Sequence, residues 1–309
     1  MTSPLRRSAT GLSFPAFALF CASLAAAPAP AQTARTQERD LFVSVIDQSG
    51  APVANLDAQA FVVREDGLSR EVLRVRRATD PIDLAILVDN SQATSNAILD
   101  LRRGLDAFVT RMKDHGHLAV ITVADRPTIA LDYTNDGAAL QKAVGRIFAI
   151  QGSGATFLEG VDETLKGLKK REAERAGILV VWLGGREFSG LGHLNLIKDL
   201  RDGHAALHVL TVGSGVHADS NTQEGRDREV LFDQGTRGSG GWRRNILSPM
   251  GIGDALDALA TEVTSQYRVT YARPETLIPP DKVEVSVRPA GLTARGTPAR
   301  VVRKGQPGS

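Results

Sequence analysis

Cysteine is nearly missing from this 309-residue chain: Cys21 is the only one, and it sits in a leader expected to be removed. The mature chain then has no disulfide to staple it, so its stability must come from a packed core, although exported proteins usually have disulfides open to them. Excess charge is missing too. The 37 basic and 35 acidic residues include Arg6 and Arg7 of the leader, which leaves 35 against 35. A neutral balance argues against a nucleic-acid binder, which needs a clustered positive face. Arg64, Arg70, Arg74, Arg76 and Arg77 do cluster, but at alternating positions they read as the solvated face of strands.

Catalytic and metal signatures are also lacking. His115, His117, His193, His204, His208 and His217 are scattered without the spacing of a zinc site. Gln151 to Thr156 has no Gly-Lys-Ser/Thr ending of a phosphate loop, and Gly213-Ser214-Gly215 lacks the third glycine of a dinucleotide fingerprint. Gly238-Ser239-Gly240 is no nucleophile elbow, because it falls in an irregular stretch. With no nucleophile paired to a base, the reading is a non-enzyme without a cofactor. Nothing repeats at a fixed period.

What is present begins with an export signal. Arg6 and Arg7 precede an apolar stretch from Phe14 to Ala27, followed by Ala29-Pro30-Ala31, the order of a secretory signal with cleavage before Gln32. The apolar stretch falls short of the roughly 18–20 residues that span a bilayer. Phe20 directly before Cys21 argues against a lipoprotein signal. Residues 1–31 are therefore read as signal peptide, and the mature chain as secreted or periplasmic without an integral membrane segment.

At 42% hydrophobic and 23% charged, the remainder can bury an ordinary core as one large domain or two modest ones. Residues 40–78 carry β texture with hairpin signals: Leu41 to Asp47, a turn at Gln48-Ser49-Gly50, then Phe61 to Val63 and Glu71 to Val75. Pro81 marks a boundary. Over residues 82–264 apolar runs alternate with helical spacing, starting from Leu84 to Val88 and Ile98 to Met112. Such alternation predicts a doubly wound, mostly parallel α/β sheet. Gly213 to Gly241 reads as a long glycine-rich loop, helical only at Arg228 to Phe232. Residues 265–303 return to β texture, and the two flanks are expected to form one small β domain into which the α/β domain is inserted.

In an open parallel sheet, ligands gather beyond the carboxyl ends of the strands. Asp89-Asn90-Ser91-Gln92-Ala93, Gly154-Ala155-Thr156 and Gly184-Gly185-Arg186-Glu187 should meet there. This trio resembles the metal-ion-dependent adhesion site of the von Willebrand factor A family. The flanks, VIDQSGAPVANLDAQAFVVREDG and SQYRVTYARPE with VEVSVRPAGLTARGTP, are similar to the von Willebrand A-related proteins of acidobacteria. The resemblance implies the family fold from Asp83 to Val263 and a site holding Mg²⁺ through Asp-x-Ser-x-Ser, a threonine and an aspartate. Asp89, Ser91 and Thr156 match it. Ala93 replaces the second serine, and Gly184 or Gly185 the aspartate.

Losing one hydroxyl and one carboxylate leaves a degenerate site that would hold Mg²⁺ weakly at most. Without an ion, Asp89 and Ser91 are expected to cap the following helix and Thr156 the next one. Glu187 could reach back toward the lost carboxylate or lie in solvent. Arg186, Trp242 and Arg243 are the candidate partner-binding residues, since Arg and Trp are enriched at hot spots; Trp242 could instead fold back over a sheet edge, and Arg186 could simply pair with Glu187. The resulting expectation is an exported, non-enzymatic protein-binding or adhesion module. The alternative is a structural envelope scaffold with no specific ligand site.

Overall fold

The computed structural model describes residues 36–213, 219–275 and 277–301. The expected signal peptide, Ser214, Gly215, His217 and the last residues of the expected C-terminal β segment lie outside them.

The elements in chain order are β1 (Thr36–Ile46), β2 (Phe61–Glu65), β3 (Leu68–Arg70), β4 (Val72–Arg77), β5 (Ile82–Val88), α1 (Ile98–Met112), β6 (Gly116–Thr122), β7 (Thr128–Thr134) and α2 (Gly137–Gly145). There follow α3 (Phe157–Lys170), β8 (Ala176–Trp182), α4 (His193–Gly203), β9 (Ala205–Val212), α5 (Gln223–Val230), α6 (Thr236–Ser239) and β10 (Arg243–Ile246). The last are α7 (Ile252–Thr264), β11 (Tyr267–Pro274), β12 (Val283–Val287) and β13 (Thr293–Pro298).

The central sheet has strand order β10-β9-β8-β5-β6-β7, parallel throughout except for β7, which runs antiparallel to β6. Its inner strands are apolar at successive positions because each is buried on both faces. The two-residue period then deals the side chains to opposite cores. Leu84, Ile86 and Val88 of β5 join Leu101, Leu105, Phe108 and Met112 of α1, with α2 and α7, on one face. Ala85 and Leu87 face Phe157, Leu158, Val161 and Leu165 of α3, with α4, on the other. Each large side chain buried in this way contributes roughly 1.5–3 kcal/mol. The chain leaves β5 toward β6 on one side and returns to β8 on the other, so the strand order reverses at β5 and the loops after β5 and β8 adjoin.

The two flanks are woven together. β1 lies between β13 and β11, and β11 lies between β1 and β4, so N-terminal and C-terminal strands alternate across a four-stranded antiparallel sheet. A second sheet has order β12-β2-β3. Between them Leu41, Val43, Val45, Phe61, Val63, Tyr267, Val269 and Tyr271 form a separate core. Charge ties this β unit to the amino end of the large sheet: Arg268 of β11 meets Asp40 at 2.5 Å, Asp80 at 2.6 Å and Glu174 at 2.7 Å.

One expectation is corrected here. The glycine-rich stretch is not an open loop after residue 222. Helix α5 runs through a π-helical turn, Leu231–Gly235, into α6. Trp242 and β10 then extend the sheet beside β9, with Val209 N–H donating to the Trp242 carbonyl at 2.7 Å. Glycine is required at Gly241, where a Cβ would lie 1.8 Å from the Leu207 carbonyl oxygen.

Candidate functional site

Asp89 is the first residue past β5 and is fully buried. Its Oδ1 accepts from Ser91 N–H at 2.9 Å, while its Oδ2 accepts from Leu183 N–H at 3.0 Å and Gly185 N–H at 2.9 Å. One carboxylate therefore satisfies three backbone donors on the two loops that meet at the reversal point. Bonds to an ionised acceptor are the strong ones. A buried N–H left without a partner costs about 1–3 kcal/mol, so Asp89 acts as a lock between loops. Thr94 Oγ1 reinforces it by donating to the Asp89 carbonyl at 2.9 Å.

Ser91 is also fully buried, and its Oγ has no partner among the described residues. It meets the Asp89 carboxylate against Gly185: a Cβ there would stand 2.5 Å from Ser91 Oγ and 2.9 Å from each Asp89 oxygen. Position 185 must therefore be glycine. Gly184 is different, with φ at +101° and open space where a Cβ would be. Thr156 starts α3, but its hydroxyl donates to the Ala124 carbonyl at 3.0 Å and does not cap the helix. Neither Asp89 nor Ser91 caps the helix after it; Asp89 holds the neighbouring strand end. The expected capping roles are corrected on these grounds.

The cap of α3 comes from the β8 loop. Glu187 is buried, and its Oε1 accepts from Phe157 N–H at 2.9 Å and from Ser189 Oγ, while Ser189 Oγ accepts from Leu158 N–H at 3.2 Å. Two otherwise orphaned helix donors are thereby satisfied. Glu187 Oε2 has no partner among the described residues. Burial pushes its carboxyl up to about 7, against the opposing pull of Ser189 and Arg228. Glu187 N–H donates to Asp219 at 2.8 Å, Asp219 pairs with the fully buried Arg228, and that guanidinium lies 3.8 Å over the Trp182 ring. Burial works to raise the Asp219 carboxyl, but the Arg228 hydrogen bond and the Glu187 N–H outweigh it and hold it below the usual range. Glu187 thus turns back toward the Thr156 loop, and it does so as part of a buried network.

These donors do not fit Mg²⁺. The ion needs hard oxygen ligands in near-octahedral order. Here both Asp89 oxygens receive N–H bonds, the Thr156 hydroxyl is turned to a carbonyl, and Ser91 Oγ is the one free group of the three. Among the described residues, no group of three or more His, Cys, Asp or Glu is placed to hold a metal. His208 lies in the core of β9, where burial first, with Arg295 and Arg175, pushes its pKa down to about 3 and keeps it neutral.

The partner-binding candidates separate. Arg186 is exposed, makes no ion pair among the described residues, and stacks 5.1 Å over the ring of Phe188, itself 56% exposed. Trp242 is only 5% exposed and packs in the core with Ile252 and Leu256. Arg243 lies beside the middle of β9, well below the carboxyl end, and pairs with Glu229 at 2.9 Å. Trp242 is corrected as a surface contact, because the apolar cost of exposing the indole folds it inward; Arg243 stays exposed and is paired with Glu229.

Two further participants were not singled out from the sequence. Asn90 joins three loops: its Oδ1 accepts from Ala124 N–H at 3.0 Å, its side-chain amide donates to the Phe148 carbonyl at 3.4 Å, and its carbonyl accepts from Ile150 N–H at 2.9 Å. Its place beside Asp89 was the available signal. Phe188 was the other, an aromatic two residues after Arg186.

Residues 83–228 match the family model of the von Willebrand factor type A domain. The fold is von Willebrand A-like, with the separate antiparallel sheet built from the flanks. Among solved structures, a von Willebrand factor type A protein from Catenulispora acidiphila shares 10% identity at a TM-score of 0.49, over 86% of this chain and 74% of its own. The conserved hypothetical protein BatB from Bacteroides thetaiotaomicron shares 18% at 0.45, over 59% and 97%. The vWF domain of the type V pili tip protein Mfa5 from Porphyromonas gingivalis shares 12% at 0.45, over 59% and 95%. None of the curated proteins compared matches the chain.

Proposed function

We propose that the chain is an exported, non-enzymatic protein-binding module that holds its partner on the carboxyl-end face of the sheet without a metal ion. The observation that carries this reading is the state of Asp89. Its two oxygens accept from Ser91, Leu183 and Gly185 N–H, which tie the loops together with no ion to organise them. A face built in this way remains usable for recognition through other side chains. Arg186 and Phe188 supply a guanidinium without an ion pair among the described residues and an exposed ring, a pair suited to an acidic partner with an apolar neighbour.

Export is carried by the pattern of residues 1–31, and secretion or a periplasmic site follows from it. No helix among the described residues is long and apolar enough to cross a membrane. The similarity of the flanks to the acidobacterial subfamily fits the same reading.

The test is a pull-down of envelope proteins with the mature chain, run with Arg186→Ala, Phe188→Ala and, as a control at the opposite sheet end, Lys113→Ala. The reading expects capture that survives a metal chelator, loses about 2 kcal/mol at Phe188, and is unchanged by the control. Capture abolished by the chelator would contradict it. A chain that captures nothing would favour the scaffold.

A further inference from the structure

The space between the two sheets of the β unit opens toward the ends of α4 and α6 as a cleft of about 880 Å³, within the size range of ligand sites. Arg39, Glu65, Tyr271 and Arg273 line its mouth. Two-residue alternation places Arg39 on the face of β1 that carries Leu41, Val43 and Val45, so its side chain enters the mouth and not the outer surface.

Charge in this mouth is unbalanced. Glu65 is 2% exposed and its oxygens are taken: Oε1 accepts from the Tyr271 hydroxyl at 2.8 Å, and Oε2 accepts from Arg70 at 2.9 Å and Arg273 at 3.1 Å. Arg39 is only partly exposed and makes no hydrogen bond or ion pair among the described residues. Its charge is felt at His204 in the same lining, where burial first, then Arg300 and Arg39, hold the imidazole below its usual range. At the rim, Arg201, Arg237 and Lys282 are matched in number by Asp202, Asp281 and Glu284. What remains is one half-covered guanidinium without a carboxylate. Cations drawn out of water are normally paired, and a guanidinium pairs best with a carboxylate.

The cleft also offers a free strand edge. β12 ends its sheet and has β2 on one side only. Asp66 N–H donates to the Lys282 carbonyl at 2.9 Å and Arg288 N–H to the Ala60 carbonyl at 2.8 Å, so the even-numbered residues from 282 to 288 turn their backbone groups to β2. The N–H and carbonyl groups of Val283 and Val285 therefore point away from β2, and both residues line the cleft. An edge of this kind is a template for an added strand.

We propose that this mouth binds the carboxyl terminus of an extended peptide, with the terminal carboxylate on Arg39 and the peptide backbone paired with Val283 and Val285. The site belongs to the flanking β unit and is separate from the partner face around Arg186.

The test is calorimetric titration of the mature protein with three probes: the N-acetylated hexapeptide Ser-Thr-Val-Thr-Ala-Val with a free carboxyl terminus, the same peptide as its terminal amide, and valerate, a carboxylate with no peptide backbone. Saturable one-to-one binding of the free acid is expected, at least about tenfold tighter than that of the amide or of valerate. Arg39→Gln should lower the acid to the affinity of the amide and leave the amide unchanged; no partner among the described residues is lost with it. Val283→Pro removes an N–H that bonds nothing in β2, at the first residue of an edge strand, where proline is tolerated. It should weaken acid and amide alike by about tenfold. The proposal is overturned by equal binding of acid and amide, by valerate binding as tightly as the peptide acid, by undiminished binding of the acid to either variant, or by no saturable binding of the acid.

Discussion

At the amino end of the large sheet charged side chains are paired and covered. Arg268 reaches three carboxylates, Arg295 of β13 grips Glu262 at 2.6 Å, and Arg171 and His117 share Asp83 at 3.2 Å. At the carboxyl end, several large apolar side chains lie exposed alongside Arg186: Leu99, Phe148, Phe188, Leu194, Leu247 and Met250. Single exposed apolar residues are ordinary. The comparison teaches that the two ends are held by different means. The amino end is held by the flanking β unit and by ion pairs. The carboxyl end is held from beneath, by buried polar groups that leave the surface free.

Removing the cover of the amino end should have the largest effect. Truncation after Ser265 deletes β11, β12 and β13 and leaves β1 without either sheet neighbour. The N-terminal β unit should then lose cooperative unfolding and amide protection in hydrogen exchange; a protected β1 would show that the ends fold independently.

Substitutions beneath the carboxyl end come next. Asp89→Ala orphans three buried donors, and Arg228→Ala strands the Asp219 carboxylate. Each should cost about 3–5 kcal/mol in urea unfolding. A loss below about 1 kcal/mol would break the claim that these groups hold the loops.

Glu187 sharpens the comparison through pH. Its folded pKa, raised by burial to about 7 from an ordinary value of about 4.5, means that the native state keeps a proton that the unfolded chain has released. The contribution is fully present below pH about 4.5 and is lost as pH rises through about 7, with a slope of at most about 1.4 kcal/mol per pH unit. Glu187→Gln, which retains an acceptor for Phe157 N–H, should flatten the stability profile across that window; an unchanged profile would contradict the assignment. The smallest effect on stability belongs to Phe188→Ser. It should stay within about 0.5 kcal/mol of the parent chain while partner capture falls.

Much of this architecture was legible because buried strands carry their own signal. Leu84 to Val88 and Ile178 to Leu183 read as covered on both faces, and Ile98 to Met112 read as one apolar helix stripe. β10 was not legible, since Arg-Arg-Asn-Ile has no apolar period and becomes a strand only because β9 offers it an edge. Trp242 reads equally well as an anchor or as core until that edge is known. At the site, Asp89, Ser91 and Thr156 could be named from spacing, but what their oxygens bind could not. That depends on Leu183, Gly185 and Ala124, which lie far away in sequence. Nor does a glutamate after a glycine turn announce burial; Glu187 is drawn in by the unsatisfied start of α3.

The most direct test of a carboxyl end organised without metal is calorimetric titration of the mature protein with Mg²⁺ and Mn²⁺, beside Ser91→Ala. Ser91 Oγ has no partner among the described residues, so this variant should fold with unchanged or slightly raised stability. The account predicts no saturable heat from either protein. Submillimolar binding to the parent chain that disappears in Ser91→Ala would contradict it.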